Sequence, residues 1–359
     1  MVPMLRFNET KNTTYSTVTL GDAVQSISSG RSKDCVENGN YKFYGSTGII
    51  GFRGTADYEG TAILIARVGA NAGSLYMVNG KYNVSDNTLI VSADTQFINY
   101  LYFYLSAINL NKLIYGSGQP LITGGMLKNL KIKIPGTKEQ TKIADFLSSA
   151  DEKITLLNKQ YDLLCQYKKG IMQKIFSQEL RFKDEFGEDF PVWHHKSLGD
   201  ICRIRTGKLD ANAMVVGGKY RFYTCAREFY QIDEYAFDTE ALLISGNGAN
   251  VGYIHYYSGK FNAYQRTYVL DGFNHNIAYV KYFLDMYLNE RIYGEKKEGN
   301  TPYIVMGTLA DMQIKLPIIK EQTKIANFLS SLDDKIAAKK AELDKLKTWK
   351  QGLLQQMFI

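Results

Sequence analysis

A glycine cluster in the second half of the chain is the feature most suggestive of chemistry, because closely spaced glycines let a backbone cradle a phosphate. Gly246, Gly248 and Gly252 follow a GxGxxxG spacing, which matches neither a dinucleotide-binding motif nor a P-loop. The corresponding first-half segment, around Gly69 and Gly73, lacks the leading glycine. We therefore interpret these glycines as tight turns. The sequence also has no GxSxG, GxxxxGK(S/T) or (D/N)PP(Y/F) motif, so it predicts no hydrolase, ATPase or methyltransferase centre.

The histidines and cysteines likewise form no recognised metal or thiol motif. The four histidines show neither HxxxH nor HExxH spacing, and the four cysteines contain no CxxC pair. We therefore predict no metal and no cofactor in this chain. No apolar run of about 18 residues or signal-peptide core occurs, so we expect a cytoplasmic protein with reduced, mostly buried thiols.

The formal charge of +7 permits an anionic partner, but this charge is unevenly placed along the 359 residues. Residues 1–137 carry 12 basic and 8 acidic side chains, whereas residues 181–319 carry 16 and 17. Within the second stretch a basic run precedes an acidic one, so we expect one basic face and one acidic face. The basic run contains Arg203, Arg205, Lys208, Lys219, Arg221 and Arg227, and the acidic run contains Glu228, Asp233, Glu234, Asp238 and Glu240.

An internal repeat organises the whole chain. Residues 138–154 read KEQTKIADFLSSADEKI and residues 320–336 read KEQTKIANFLSSLDDKI, with 14 of 17 positions identical. The segments before these motifs repeat more weakly, as in Gly69-Ala70-Asn71 and Gly248-Ala249-Asn250. Each half is therefore a diverged globular head followed by a nearly unchanged module. This difference indicates that the modules do the same work twice, while the heads do related but different work.

The repeated module is predicted to be a long helix, because residues 139–176 contain no proline and one glycine. Apolar residues recur in both copies at alternating spacings of four and three, as in the a/d seam of a coiled coil. The predicted helix-pairing residues are Ile143, Leu147, Ile154, Leu157, Leu164, Ile171, Ile325, Leu329, Ile336, Leu343, Leu346 and Leu353. The seam could be buried against the adjoining head or against the other copy. We favour the other copy, in an antiparallel pair, and we expect the duplicated acidic residues of the module to face solvent.

The heads combine short β-like runs, such as Thr61–Arg67 and Ala241–Ile244, with helical segments at Tyr100–Leu113 and Ala278–Tyr293. We therefore predict an α+β fold: two heads, each with a mixed β-sheet and short helices, separated by two long antiparallel helices in a pseudo-twofold repeat. The predicted divisions are residues 1–137 (head), 138–180 (central helix), 181–319 (head) and 320–359 (C-terminal helix). Residues 177–191 are expected to form an ordered connector.

This order of variable head, KEQxKIAxFLxxxDxKI helix, second head and the same helix again resembles the specificity (S) subunit of type I restriction-modification systems. Further points of resemblance are the LRF phrases at residues 5–7 and 180–182, the Leu-Gly-Asp phrases at residues 20–22 and 198–200, and the GIMQKIF ending at residues 170–176. The resemblance covers nearly the whole chain. It implies a non-catalytic subunit in which each head is a target recognition domain reading one half of a bipartite, asymmetric sequence of double-stranded DNA. The two helices then set the gap between the half-sites.

The resemblance also implies partners and cofactors. Two modification (M) subunits would dock on the helices and methylate adenine with S-adenosylmethionine, and two restriction (R) subunits would add cleavage driven by ATP, with Mg. S-adenosylmethionine, ATP and Mg would therefore lie in partner subunits, and none in this chain.

The type of role expected for the DNA contacts follows from general recognition chemistry: Lys and Arg bind phosphates, while Arg, Asn, Gln and Tyr read base edges. The residues chosen on this basis are Arg31, Lys33, Lys42, Arg67 and Asn71 in the first head, and Lys208, Lys219, Arg221, Asn250 and Arg266 in the second. Two other functions stay open: a coiled-coil adaptor with two ligand-binding heads, and a self-contained DNA-modifying enzyme. Salt-dependent DNA binding would distinguish the first, and methylation without added subunits the second.

Overall fold

A computed structural model of the chain describes residues 4–10, 14–114, 120–294 and 303–358. Its internal contacts divide it into two compact units. Unit 1 comprises Met1–Lys159 and Lys340–Ile359, and unit 2 comprises Gln160–Lys339. The division runs through both long helices, so each unit contains one head and one end of each helix.

Unit 1 contains the first ten strands and three short helices, and α4 begins in it. The strands are β1 (Ser16–Thr19), β2 (Ser26–Ser29), β3 (Tyr41–Gly45), β4 (Gly48–Arg53), β5 (Tyr58–Glu59), β6 (Ala62–Ala66), β7 (Leu75–Val78), β8 (Lys81–Val84), β9 (Thr88–Ser92) and β10 (Lys131–Ile134). The helices are α1 (Leu20–Ala23), α2 (Thr95–Ile108), α3 (Gly124–Lys128) and α4 (Thr137–Phe176), with 3₁₀ turns at Asn8–Thr10 and Leu110–Leu113.

Unit 2 repeats this order. Its strands are β11 (His194–Ser197), β12 (Arg203–Thr206), β13 (Tyr220–Tyr223), β14 (Tyr230–Ile232), β15 (Phe237–Ser245), β16 (Ile254–Ala263), β17 (Thr267–Asp271) and β18 (Gln313–Leu316). Its helices are α5 (Leu198–Ile201), α6 (Ile277–Gly294), α7 (Met306–Ala310) and the start of α8 (Ile319–Phe358), with 3₁₀ turns at Ala211–Ala213 and Gly248–Asn250. The predicted strands and long helices are confirmed. The first head helix begins earlier than predicted and ends where Asn109 adopts a left-handed conformation with φ of 53°.

Both heads contain mixed sheets, because one strand pair in each is parallel and the others are antiparallel. Among the described residues, each unit has a two-stranded antiparallel sheet, β1-β10 in unit 1 and β11-β18 in unit 2. In addition, unit 2 has a six-stranded sheet in the order β12-β17-β15-β16-β13-β14, whereas unit 1 has two four-stranded sheets, β2-β9-β6-β7 and β4-β3-β8-β5. The split in unit 1 falls at Gly60 and Gly80, which have φ of 109° and 87° and are joined by a 2.9 Å backbone hydrogen bond. Left-handed glycines interrupt two strands that run continuously in unit 2 as β15 and β16.

The central strands are buried on both faces, which explains their continuous apolar sequences. Ile63 and Ile65 on β6 face the larger core, while Leu64 faces a smaller core between the sheets. On β15, Leu242 and Ile244 face the larger core of unit 2, and Ala241 and Leu243 the smaller one. The larger cores extend into the long helices. Their helical members are Ile143, Ala144, Leu147, Leu353 and Met357 in unit 1, and Met172, Ile175, Phe176, Ile325, Ala326, Leu329 and Leu332 in unit 2.

The two long helices run antiparallel within each unit. In unit 1, Lys350 on α8 is paired with Asp151 on α4, and Lys347 Nζ lies 3.4 Å from Asn158 Oδ1. In unit 2, Lys168 Nζ on α4 lies 2.5 Å from Asp333 Oδ1 on α8. The two ion pairs are equivalent in the repeat, since both residues of one are 182 positions from those of the other. They explain why the apolar seam contains a lysine at this position in both copies.

The predicted helix-pairing residues are buried or half-buried. Ile143, Leu147, Leu157, Ile325, Leu329, Leu343 and Leu353 are buried, and Ile154, Leu164, Ile171, Ile336 and Leu346 are half-buried. The ends of the seam therefore pack against the heads as well as against the opposite helix. The two environments that the sequence left open as alternatives are both present.

A buried ion pair, which we call the helix-start clamp, joins each LRF phrase to the following helix. In unit 1, Arg6 donates to both carboxylate oxygens of Glu139, at 2.9 and 2.6 Å, and Tyr15 lies under the guanidinium. Burial and the neighbouring Glu139 carboxylate raise the pKa of Tyr15 to about 12. In unit 2 the equivalent residues are Arg181, Glu321 and Trp193, and the Trp193 Nε1–H donates to Glu321 at 3.0 Å.

Two expectations from the sequence are wrong. Glu139 and Glu321 are 1% and 0% exposed, not solvent-facing, because they lie in the first helical turn, outside the seam, where the LRF arginine covers them. The four cysteines are free, but only Cys202 is buried.

The prediction that residues 177–191 form an ordered connector is confirmed, since Phe190 is buried and the Arg181 guanidinium donates to the backbone of residues 190 and 191. In the part of the chain that the structure describes, no helix combines the length and the apolar character that crossing a bilayer requires.

Candidate nucleic-acid interface

Four loops of unit 2 meet at one end of its sheet, and we call them the tip loops of unit 2: residues 207–210, 224–229, 246–252 and 264–266. The Gln265 N–H donates to Leu209 O at 2.9 Å, and the Gly246 N–H donates to Arg266 O at 2.8 Å. Asn250 Nδ2 donates to Cys225 O at 3.0 Å. These bonds join all four loops into one continuous surface.

The close approach of two of these loops requires a glycine. A Cβ on Gly207 would lie 1.9 Å from Ala263 O, far inside van der Waals contact. In unit 1 the equivalent Gly30 would meet Ser85 O at 2.3 Å. The two glycines occupy equivalent places in the repeat, and each lets the following basic residue, Arg31 or Lys208, leave the sheet beside the neighbouring loop.

The predicted DNA-contact residues of unit 2 fall into two groups. Lys208, Asn250 and Arg266 lie on the tip loops. Lys219 precedes β13, whose far end leads into the tip loops, so it lies away from them. Arg221 lies on β13 with its guanidinium carbon 4.3 Å from the centre of the Phe229 ring and 4.5 Å from that of Tyr257.

The basic run of the sequence does not form a single face, so that expectation is wrong. Arg203 and Arg205 lie on β12 and both pair with the fully buried carboxylate of Asp271, because alternate residues of an edge strand share one side. Arg221 is enclosed by aromatic rings. The exposed cations on the tip loops are Lys208, Arg227 and Arg266.

Two members of the acidic run, Asp238 and Glu240, lie toward the other end of β15, whereas Glu228 lies on the tip loops next to Arg227. Asp238 and Glu240 are opposite Lys260 and Ser258 in the sheet, whereas Ser245 leads into the tip loops. Five residues of strand correspond to about 16 Å between Glu240 and Ser245. The tip loops carry Lys208, Arg227 and Arg266 against Asp210 and Glu228, a net charge of +1 compared with −1 for residues 181–319, so the tip is only slightly more positive than the head as a whole.

Unit 1 has an equivalent surface, and we call it the tip loops of unit 1: residues 30–33, 45–48, 67–73 and 85–88. The Arg67 N–H donates to Asn87 O at 3.0 Å and the Ser85 N–H donates to Tyr44 O at 2.9 Å. The corresponding bonds in unit 2 are Gly246 to Arg266 and Tyr264 to Tyr223. The loop framework is therefore repeated although the exposed residues differ.

The predicted DNA-contact residues of unit 1 mostly lie on these loops. Arg31, Lys33 and Asn71 are exposed, and the side chain of Asn71 makes no hydrogen bond to the described residues. Arg67 is half-buried: its Nη1 lies 3.5 Å from Ser29 Oγ, and its Nε has no hydrogen-bond partner among the described residues. Lys42 is exposed on β3, outside the loops.

Arg227 is an exposed tip residue that the sequence reasoning did not select, although it belongs to the basic run. Its Nε donates to Asn250 Oδ1 at 3.3 Å, and its guanidinium carbon lies 5.6 Å from the centre of the Tyr253 ring. Beneath it, His255 Nε2 lies 3.0 Å from Ala226 O, and burial lowers the pKa of His255. Its place in the basic run was the sequence signal that could have selected it.

Comparison with known proteins identifies the family. The profile of the type I restriction modification DNA specificity domain matches residues 12–165 and 192–348, which together are more than half of the chain. The chain belongs to this family. The two matches to this DNA specificity domain correspond to the two halves of the internal repeat.

Individual relatives with a similar sequence are also specificity subunits of type I restriction enzymes. The EcoDI specificity subunit of Escherichia coli is 40% identical over 167 residues, which cover 45% of this chain and 37% of that relative's length. The MjaVIII specificity subunit of Methanocaldococcus jannaschii is 25% identical over 328 residues, covering 81% of this chain and 77% of the relative. The solved type I S subunit of M. genitalium covers 100% of this chain and 99% of its own, with a TM-score of 0.73 and 19% identity. That similarity confirms the α+β specificity-subunit fold.

Proposed function

We propose that this chain is the DNA specificity subunit of a type I restriction-modification complex, in which each unit reads one half of a bipartite DNA site. The proposal is carried by the comparison of the tip loops of the two units. Their loop frameworks are equivalent, but the residues on them differ: the exposed Asn87 in unit 1 corresponds to the exposed Arg266 in unit 2, and the half-buried Arg67 corresponds to the buried Gly246. Equivalent supports with different side chains suit two different half-sites.

The tip cations are suited to phosphate binding. Lys208 and Arg266 are exposed, and their side chains make no hydrogen bond or ion pair with the described residues, as is also true of Lys33. Such flexible cations can follow a DNA backbone without first breaking an internal bond. Together with Arg31, Arg67 and Arg227, they provide six cationic side chains on the two tips. If each of the six neutralised one phosphate, the logarithm of the DNA association constant, log K, would fall with log[salt] at a slope of about −5.

Two M subunits would dock on the helices. Tyr167 on α4 and Trp349 on α8 are equivalent in the repeat, and their exposed fractions are 52% and 47%. Large aromatic side chains exposed at matching positions are suited to two copies of one partner. The S-adenosylmethionine would then lie in M, and ATP and Mg in two R subunits, while this chain supplies sequence recognition without a catalytic group or cofactor of its own.

The test uses this chain assembled with its M subunits. DNA affinity is measured across a salt series for the unchanged complex, for Lys208→Ala with Arg266→Ala, and for Lys219→Ala. The double variant should make the slope of log K against log[salt] less steep by about 2, while Lys219→Ala should leave the slope near the wild-type value. A slope near zero for the unchanged complex would instead favour the coiled-coil adaptor. Equal effects of the double variant and Lys219→Ala would move the interface away from the tips.

A further inference from the structure

Arg227 differs from Lys208 and Arg266, the other exposed cations on the tip loops of unit 2, because its guanidinium is held in place. One side of the group is fixed by the Nε–H bond to Asn250 Oδ1, at 3.3 Å, and by the Tyr253 ring beneath it. The Nη1 and Nη2 groups make no hydrogen bond to any residue that the structure describes, and the side chain is exposed. The guanidinium therefore presents its two-donor edge outward from a fixed support.

The support is itself ordered by a chain of contacts. Asn250 uses both ends of its amide, because Oδ1 accepts from Arg227 while Nδ2 donates to Cys225 O at 3.0 Å. The Tyr253 ring packs edge-on against His255 at 4.8 Å between centroids, and His255 lies 3.0 Å from Ala226 O. The backbone on the N-terminal side of Arg227 is thus bonded at two successive carbonyl groups.

We propose that Arg227 reads one guanine of the half-site bound by unit 2, with Asn250 and Tyr253 as positioning residues. This inference rests on the proposed function. The outward Nη edge matches the two acceptors, O6 and N7, that guanine presents in the major groove. Because the side chain is already ordered, less conformational entropy is lost on binding than for a flexible cation.

Two comparisons within the chain support this assignment. Arg221 is enclosed by Phe229 and Tyr257 and also donates to Tyr223 Oη at 3.3 Å, so its guanidinium packs within the head. In unit 1 the equivalent hairpin, residues 45–48, is the short sequence Gly-Ser-Thr-Gly and has no arginine. A guanine contact at this place would therefore belong to one half-site only, as an asymmetric target requires.

The experiment compares base preference in complexes of this chain with its M subunits, using methylation of a DNA library randomised at the recognition positions. The variants are Arg227→Lys, Arg227→Ala and Asn250→Ala, and Arg266→Lys is the matched control at a tip arginine without a fixed support. Arg227→Lys should lose discrimination by about 5- to 150-fold at one position of one half-site. Asn250→Ala should relax the same position partially, and Arg266→Lys should leave base preference unchanged.

Other results would overturn the inference in recognisable ways. If Arg227→Ala lowers the affinity equally for all DNA sequences and Arg227→Lys restores it, Arg227 is a phosphate contact. If Arg227→Ala changes neither the affinity for DNA nor the base preference, Arg227 lies outside the interface. Retained preference at the other half-site serves as the folding control within each variant. If the unchanged complex methylates without sequence preference, the proposed function fails, and this outcome is distinct from failure of the Arg227 assignment.

Discussion

The helix-start clamp of unit 2 makes a stability prediction that can be measured site by site. The Glu321 side chain is fully buried and accepts hydrogen bonds from Arg181 at 2.8 and 3.3 Å and from Trp193 at 3.0 Å. Glu321→Gln keeps the shape of the side chain but leaves the partly buried guanidinium without a counter-charge. Removing one member of a buried ion pair costs about 3–5 kcal/mol, and the retained amide oxygen should limit the loss to about 3 kcal/mol.

The two tryptophans allow each unit to be followed separately. Trp193 contacts Glu321 in unit 2, and Trp349 lies in unit 1. In a Trp349→Phe background, urea unfolding followed by fluorescence reports the free energy of unfolding of unit 2. The matched control is Asp285→Asn, which breaks the partly exposed Lys281–Asp285 pair and should cost less than about 0.5 kcal/mol.

If Glu321→Gln destabilises unit 2 no more than Asp285→Asn does, the buried ion pair does not stabilise this unit as proposed. A second comparison separates the ion pair from packing. Replacing Arg181 and Glu321 together with methionine should cost less than replacing Glu321 alone, because no buried charge is then left unpaired.

Three further outcomes follow from the structure. Inserting one helical turn into both long helices should lengthen the DNA gap by about one to two base pairs, from a 5.4 Å pitch, and an unchanged gap in methylation-site sequencing would contradict the spacer role. Gly207→Ala should abolish cooperative unfolding of unit 2 because its Cβ would overlap Ala263 O, whereas Gly170→Ala, with nothing within 4 Å, should raise the free energy of unfolding by about 0.5–1 kcal/mol. Tyr167→Ser or Trp349→Ser should each weaken binding of one M subunit, seen in native mass spectra as a complex with one M, and full occupancy would exclude these docking sites.

The repeated helix and its pairing could be predicted because their signal is local and periodic. A seam with spacings of four and three predicts which side of a helix is buried, without knowledge of the rest of the fold. The seam positions at Leu147 and Leu329 are indeed fully buried. Lys168 and Lys350 stand at seam positions where the spacing predicts an apolar residue. Their partners, Asp333 and Asp151, come from the opposite helix and could only be found once the antiparallel register was known.

The sequence by itself determined the duplication, the two long helices and the family, because these features depend on identity and period along the chain. It did not determine which basic residues point outward. Lys219, Arg221 and Arg227 lie within nine positions, yet one precedes the strand, one is enclosed by rings and one stands on the tip. Only the tertiary structure decided this, because the surroundings of a loop residue are set by strands that are distant in sequence. The burial of Glu139 and Glu321 has the same cause, since the arginines that cover them belong to separate segments of the chain.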